Sequence, residues 1–418
     1  MFDAAKRQEW ARMWPLPFVA MLGVAGAGVF AFSSGVFMDE LGRDFGWSKT
    51  EFTSAMTVTL LVSLVMIPLI GRLIDRIGPR PIALFGIIPA ALGTAALGLA
   101  NGSVWQWWVL CTVQALGCVI VVPPVWLAAV VSQFHASRGL ALAVGLAGSG
   151  LGTAVWPMLA AVFVEHLGWR LAYPAMALCW AALMLPLTFF LFRSAPARAV
   201  PAHVAQDHPA GYARSLFSRT FLCLAASGGI MILICYGLMI HFVPILRGEG
   251  LDLPTAAGLA GLAGLCSILG RILTGILLDL MPSRLFAVLV FLLPLVVCIL
   301  LLRAEGAFPL LVLAAVLLGL AMGAESDILT YITSRRFDPS LFGSLYAVIQ
   351  TVLAVTSIGG SIVAGALYDV AGSYTLFLTA LVPLSIVGAL LVSLVGNART
   401  AGEVVAPVGT VPGAASGG

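Results

Sequence analysis

Residues 71–80 read GRLIDRIGPR, and residues 275–284 read GILLDLMPSR. Both stretches set a glycine, an aspartate and an arginine at one spacing, as Gly71, Asp75, Arg80 and as Gly275, Asp279, Arg284. Each follows a long apolar run, and the offset of 204 residues is about half of the 418-residue chain. A repeat at the same point of each half predicts a duplicated helical unit.

Outward from these two turns the chain is a series of apolar runs, each near the roughly 20 residues that a helix needs to cross a bilayer core. They fall at 17–38, 52–71, 82–101, 106–132, 139–164 and 170–192, then at 219–244, 254–277, 285–302, 308–334, 342–367 and 375–396. The expected fold class is an all-α membrane protein, with twelve transmembrane helices in two six-helix bundles. The expected organisation is an N-terminus at 1–16, a first bundle at 17–192, a central loop at 193–218, a second bundle at 219–396 and a disordered tail at 397–418. The basic N-terminus and first apolar run resemble a secretory signal. That run is too long and lacks a small-residue cleavage site, so an uncleaved first helix is expected.

Composition agrees. Hydrophobic residues make up 61% of the chain and charged residues 9%, against about 25% charged in a soluble domain, so the partner of most of the surface is the lipid bilayer. No basic run suggests nucleic acid. The seven cysteines lie in apolar runs without ligand spacing and read as packing thiols. The sequence contains no HExxH, P-loop or GxSxG pattern, so no metal, no cofactor and no enzymatic activity is expected. Asn101-Gly102-Ser103 matches a glycosylation acceptor at a length that chance supplies. With twelve spans, fifteen of the 21 Lys and Arg fall on the side of the termini, five on the other and one, Arg271, inside a span. The positive-inside rule then puts both termini in the cytoplasm of an inner (plasma) membrane. Trp105, Trp107 and Trp108 would form an outer aromatic anchor, and Trp10 and Trp14 an inner one.

The first stretch resembles the loop 2–3 signature of the major facilitator superfamily, G-x-L-x-D-R-x-G-x-R, through Gly71, Leu73, Asp75, Arg76, Gly78 and Arg80. That resemblance implies a loop that packs the two halves together through a charge relay in one state and releases them in the other, with Asp279 and Arg284 as its second copy. Physically, Asp75 can sit at a helix N-terminus, where the dipole favours an anion; a generic basic turn is the alternative. Three more segments resemble the monocarboxylate and oxalate/formate porter branch: Phe32 to Phe37 with the DFGWSKTEF that follows, RGLALAVGLAGSGLGTAVWP from Arg138, and GRILTGILLD from Gly270. In that branch the span 8 arginine engages a carboxylate. The G-x-x-x-G-P motif of drug/proton antiporters is missing from span 5.

Arg271 is the informative residue. An arginine at mid-bilayer costs about 2.5–3.5 kcal/mol even on the lenient insertion scale, and it stays charged. It therefore needs an anion, either a substrate carboxylate held bidentately or an acidic residue of a neighbouring span. Oxalate exchangers of the branch add a span 11 lysine, whereas Lys6 and Lys49 are the only lysines here and both lie outside the spans. One fixed cation suits a monocarboxylate. Glu325 and Asp327 are the only acids well inside a span; both cannot stay ionised cheaply in a dry site, so they would couple protons or form a gate with Arg271, Arg335 or Arg336. Asp327 and Tyr331 share a helix face. The branch often has an aspartate one turn before the arginine, where this chain has Ser267. His241, ending span 7 near the outer face, could titrate near neutral pH in the substrate path or be simply an interfacial polar tip; Tyr236, Tyr331 and Gln114 could orient a substrate or simply bond helix to helix. Span 5 glycines (145, 148, 150, 152) and span 11 glycines (359, 360, 365) would allow close packing, and their surfaces could slide during transport.

The expected function is secondary active transport, with proton-coupled uptake of a small monocarboxylate by alternating access. Its partners would be a small organic anion, protons and lipid, and the carrier would be a monomer. The alternatives are efflux of an amphipathic compound by proton antiport and a non-transporting membrane sensor.

Overall fold

A computed structural model describes residues 4–193, 212–337 and 341–395. The expected tail from 397 and most of the central loop lie outside them. Among the described residues there are twelve helices long and apolar enough to cross a membrane. Spans 1 to 6 are Pro15–Phe45, Lys49–Ile74, Pro79–Leu99, Val104–Gln133, Arg138–Leu167 and Trp169–Leu191. Spans 7 to 12 are Arg219–Gly248, Leu253–Leu278, Ser283–Leu302, Phe308–Arg336, Leu345–Ala371 and Thr375–Leu394. The first run extends beyond its expected end, because Asp39, Glu40 and Arg43 continue the helix to Gly46. There φ is 70°, a left-handed conformation that glycine adopts without strain. Two residues on, Ser48 and Glu51 exchange hydrogen bonds as a capping box and start span 2.

Within the first half span 3 lies against spans 4 and 6; within the second, span 10 lies against spans 8 and 9, and span 7 against spans 11 and 12. The halves meet where span 1 touches span 7, span 2 touches span 11 and span 5 touches span 8. Close approach needs small residues there. A Cβ on Gly35 would sit 2.6 Å from the Ile240 carbonyl oxygen, and one on Gly150 would sit 2.7 Å from Ser267 Oγ.

This seam is sealed at the end opposite the termini. Lys49 and Arg247 converge on Asp39, Arg247 also reaches Glu40 at 3.4 Å, and Arg43 bonds Glu40 at 3.0 Å. Asp369, ending span 11, accepts the backbone N–H groups of Lys49 and Thr50 at 2.9 Å each. A carboxylate on the first turn of span 2 meets both its orphan donors and the positive end of its dipole.

The tryptophan expectation needs correction. Trp107 is fully buried among Phe30, Trp47 and Phe52 and donates to the Phe52 carbonyl. Trp108 donates to Ser54 Oγ at 2.8 Å, and of the three only Trp105, 71% exposed, projects outward. Phe52 and Ser54, in the first turns of span 2, receive the two indoles.

Candidate functional site

A cavity of about 130 Å³ lies where spans 1, 5, 7, 8 and 10 meet. Span 8 contributes Ser267 and Arg271, one turn apart; span 7 contributes Tyr236; span 10 contributes Glu325 and Ser326. Four of the residues expected from the sequence, Ser267, Arg271, Tyr236 and Glu325, come together here from three helices. The opposite wall, made by Phe32 of span 1 with Ser149 and Thr153 of span 5, was not among them. The signal was present, since Ser149 and Thr153 are hydroxyls four apart in an apolar span and share a face.

The electrostatics centre on Arg271. Its Nε lies 3.9 Å from Asp327 Oδ2, at the outer limit of an ion pair, with both side chains partly accessible. A mature bidentate pair lies closer, at about 2.7–2.9 Å. The guanidinium therefore has room for a second anion. Glu325 is 3% exposed, and its Oε1 is buried without a hydrogen-bond partner among the described residues. A buried polar atom left unpaired is costly, a cost that a proton or a ligand at Glu325 would relieve.

The hydroxyls have a defined polarity. Ser149 Oγ donates to the Leu146 carbonyl at 3.0 Å, Thr153 Oγ1 to the Ser149 carbonyl at 2.9 Å, and Ser267 Oγ to the Gly264 carbonyl at 2.7 Å. With each proton directed to a backbone carbonyl, what these oxygens could offer a ligand is a lone pair, as acceptors.

Other predicted residues lie elsewhere. Gln114 of span 4 is buried against span 3, where Gly93 lets the two backbones approach, and bonds Cys118 on its own helix. Tyr331, further along span 10, takes the Arg335 guanidinium over its ring at 5.6 Å. His241 is fully buried beneath the sealed end, with Nδ1 2.9 Å from Tyr374 Oη and Nε2 3.0 Å from the Ser361 carbonyl oxygen. The carbonyl accepts only, which fixes the proton on Nε2 and lets Tyr374 donate to Nδ1.

Of the loop motif, the side chains of Asp75 and Asp279 lie outside the described residues. Arg80 donates to the Phe189 carbonyl at 2.7 Å, within its own half, and Arg76 is exposed. Gly78 has φ of 84° where the chain turns into span 3, a conformation that explains glycine at this step of the motif. Of the glycines read as sliding surfaces, Gly150 faces span 8 and Gly365 faces the Lys49 backbone at 3.1 Å, both across the seam. Gly360 packs on Leu233 inside its own half. Among the described residues no three His, Cys, Asp or Glu converge as a metal site.

Comparisons with known proteins agree with this architecture. The curated Monocarboxylate transporter 13 of Bos taurus is 28% identical over 356 residues, covering 82% of this chain and 80% of that protein. Monocarboxylate transporter 4 of Rattus norvegicus is 25% identical over 288 residues, covering 66% and 60%. Among solved structures, the nucleoside transporter NupG covers 91% of this chain and 99% of its own at a TM-score of 0.74 and 12% identity. A bacterial homologue of the human lysosomal transporter Spinster, inward-facing and occupied, covers 91% and 95% at a TM-score of 0.66 and 16% identity; at these identities both show the fold alone. The profile of the Major Facilitator Superfamily matches residues 19–358. With twelve spans, a seam between two halves and that match, the chain belongs to the Major Facilitator Superfamily.

Proposed function

We propose that this transporter carries a small monocarboxylate inward together with a proton, by alternating access between two six-helix units at 17–192 and 219–396. The observation that carries the reading is the pairing of Arg271 with Glu325 on one cavity wall. Arg271 is loosely held at 3.9 Å by Asp327, and the Glu325 carboxyl has an unpartnered oxygen. The charge balance favours symport. The net charge of the empty site is the sum over Arg271, which stays positive, Glu325 and Asp327. Adding one proton to Glu325 and one monoanion to Arg271 leaves that sum unchanged, so loaded and empty carriers meet similar barriers in a low-dielectric membrane. A proton or an anion alone would alter it.

The relatives named as monocarboxylate transporters support the substrate class, and the acceptor hydroxyls refine it. A 2-hydroxy acid can donate to Thr153 or Ser149, whereas a 2-oxo acid brings one lone pair against another. The excess of Lys and Arg on the termini side supports cytoplasmic termini in the inner membrane. In that orientation the sealed seam closes the site to the outside, and His241 and Tyr374 belong to the closed gate.

The test is uptake of labelled short-chain carboxylates into proteoliposomes, with and without an inward proton gradient. Wild type should show gradient-stimulated uptake, and Arg271→Ala should lose at least about 100-fold of it while melting as wild type does. Folded wild type with no carboxylate flux would overturn the reading and leave efflux of an amphipathic compound as the better one.

A further inference from the structure

A second pocket, of about 170 Å³, lies at the termini end of the first half, between the N-terminal helix Ala4–Met13 with its turn into span 1 and the last turn of span 6. Two arginines line it, Arg12 from the helix and Arg193 from the end of span 6, along with Met13, Phe190 and Leu191. No acidic residue lines it, and among the described residues neither arginine has an ion-pair partner.

The acid best placed to neutralise Arg12 is Glu9, three residues earlier on the same helix, and it is fully committed. Its carboxylate accepts from the backbone N–H groups of His135, Ala136 and Ser137 and from Ser137 Oγ, at 2.8–3.0 Å. These bonds tie the helix to the loop entering span 5, and Trp10 adds an edge contact on Phe134 at 5.4 Å. The helix carrying Arg12 is thus held in place, and the exposed Arg12 guanidinium has no acid beside it among the described residues. Beside the pocket the surface is apolar: Phe190 is 67% exposed, Phe189 56% and Trp14 57%. Aromatic side chains at the ends of spans mark the boundary between head groups and acyl chains.

We propose that this pocket binds the phosphate of an anionic diacyl phospholipid, with Arg12 and Arg193 on the head group and Met13, Phe190 and Leu191 against the start of its chains. Guanidinium groups suit a phosphodiester, and basic pockets between helices at this level fit anionic lipid head groups. The occupant would fasten the N-terminal helix to span 6 as Glu9 fastens it to span 5. This site is independent of the transported substrate.

The test uses the full chain in nanodiscs of equal phosphatidylglycerol and phosphatidylcholine, extracted gently and analysed by native mass spectrometry. Wild type should retain phosphatidylglycerol preferentially. Arg12→Gln and Arg193→Gln should each weaken retention about five-fold, from the roughly 1 kcal/mol that one basic residue contributes near an anionic surface. Arg7→Gln, an exposed arginine on the same helix outside the pocket, should leave it unchanged. Equal losses in Arg7→Gln would reduce the effect to diffuse attraction and overturn the site. Displacement of the retained lipid by millimolar inorganic phosphate or glycerol phosphate would overturn the lipid assignment in favour of a free anion. Both displacement arms are read on unmodified protein, so a poorly folding variant leaves the proposal testable.

Discussion

Two regions of this molecule concentrate charge inside an apolar chain, and they use it differently. At the sealed end of the seam, Asp39, Glu40, Lys49, Arg247 and Asp369 each meet a partner, most of them across the two halves. In the central cavity, Arg271 meets Asp327 only at 3.9 Å, and Glu325 keeps an oxygen without a partner. Paired charges hold one arrangement of the halves. Underpaired charges in a cavity are high in energy until something arrives, which is what a binding and coupling site requires. On the proposed function the same residue types would act as a latch in one place and as a receptor in the other, and the distinction would lie in the unmet hydrogen-bonding capacity.

The most severe way to break this contrast is to remove the titratable group from the cavity while keeping its shape. Glu325→Gln should abolish stimulation by the proton gradient while leaving carboxylate-for-carboxylate exchange, because Arg271 still binds the anion. Paired measurements of net uptake and exchange in proteoliposomes would show this. If exchange and net uptake fall together, Glu325 is part of the binding surface and proton coupling lies elsewhere.

Acting on the latch should have a smaller effect. Asp369→Asn keeps the size of the side chain but removes the charge that two backbone N–H groups bond to. Charge-assisted hydrogen bonds are roughly twice as strong as neutral ones, although partial exposure discounts that advantage. A roughly five- to ten-fold shift toward a state open at this end is expected. Pulsed EPR distances between spin labels at Leu167 and Val370, both exposed at this end of opposite halves, would record a longer-distance population. An unchanged distribution would show that the Lys49, Arg247 and Asp39 contacts hold the seam without Asp369.

How legible these two regions were follows from how each is built. Helix number and position came from runs of apolar residues, a local property, and the repeat at Gly71 and Gly275 came from spacing. Arg271 was legible because a guanidinium at mid-span has so few alternatives. Ser149 and Thr153 were passed over because serine and threonine in a membrane helix usually satisfy their own backbone, and only the fold shows which of them face a cavity. Gln114 and His241 show the converse: each is a polar residue within an apolar run, as Tyr236 is, yet the fold turns Gln114 onto Cys118 and His241 onto Tyr374 and Ser361. The latch was illegible because Lys49 and Asp369 are 320 residues apart, and nothing local marks a pair that depends on the docking of two halves.

Glu9 is a third kind of carboxylate, fully committed and outside the spans, and it sharpens the comparison through pH. The N–H groups of Ala136 and His135 and the Ser137 hydroxyl hold its pKa down, from an ordinary 4.5 to about 2. A carboxyl whose folded pKa is lowered contributes above its unfolded value and loses that contribution as pH falls through the folded one. Hydrogen exchange of the Ala4–Met13 amides should therefore be flat above pH 4.5, after correction for intrinsic rates, and lose protection between 4.5 and 2. Glu9→Gln should lack that transition. A transition preserved in the variant would assign it to another group.

The smallest expected effect tests whether the polarity of the cavity is set as finely as its charge. Thr153 lines the cavity, and its Oγ1 gives its proton to the Ser149 carbonyl, which leaves it only an acceptor to offer a substrate. A 2-hydroxy acid gains one neutral hydrogen bond there that a 2-oxo acid cannot make without breaking the bond inside the helix. One such bond contributes about 0.5–1.5 kcal/mol net, so competition between 2-hydroxypropanoate and 2-oxopropanoate should favour the hydroxy acid by about two- to ten-fold. Thr153→Val keeps the shape and removes the oxygen, and Ser149→Ala removes the neighbouring one. If both substitutions bring the two acids to parity at unchanged total flux, the span 5 hydroxyls read the second carbon of the substrate. If the 2-oxo acid is preferred in wild type, the donor at that carbon comes from Tyr236 or Ser326 on the opposite wall, and the acceptor face of span 5 serves only the helix itself.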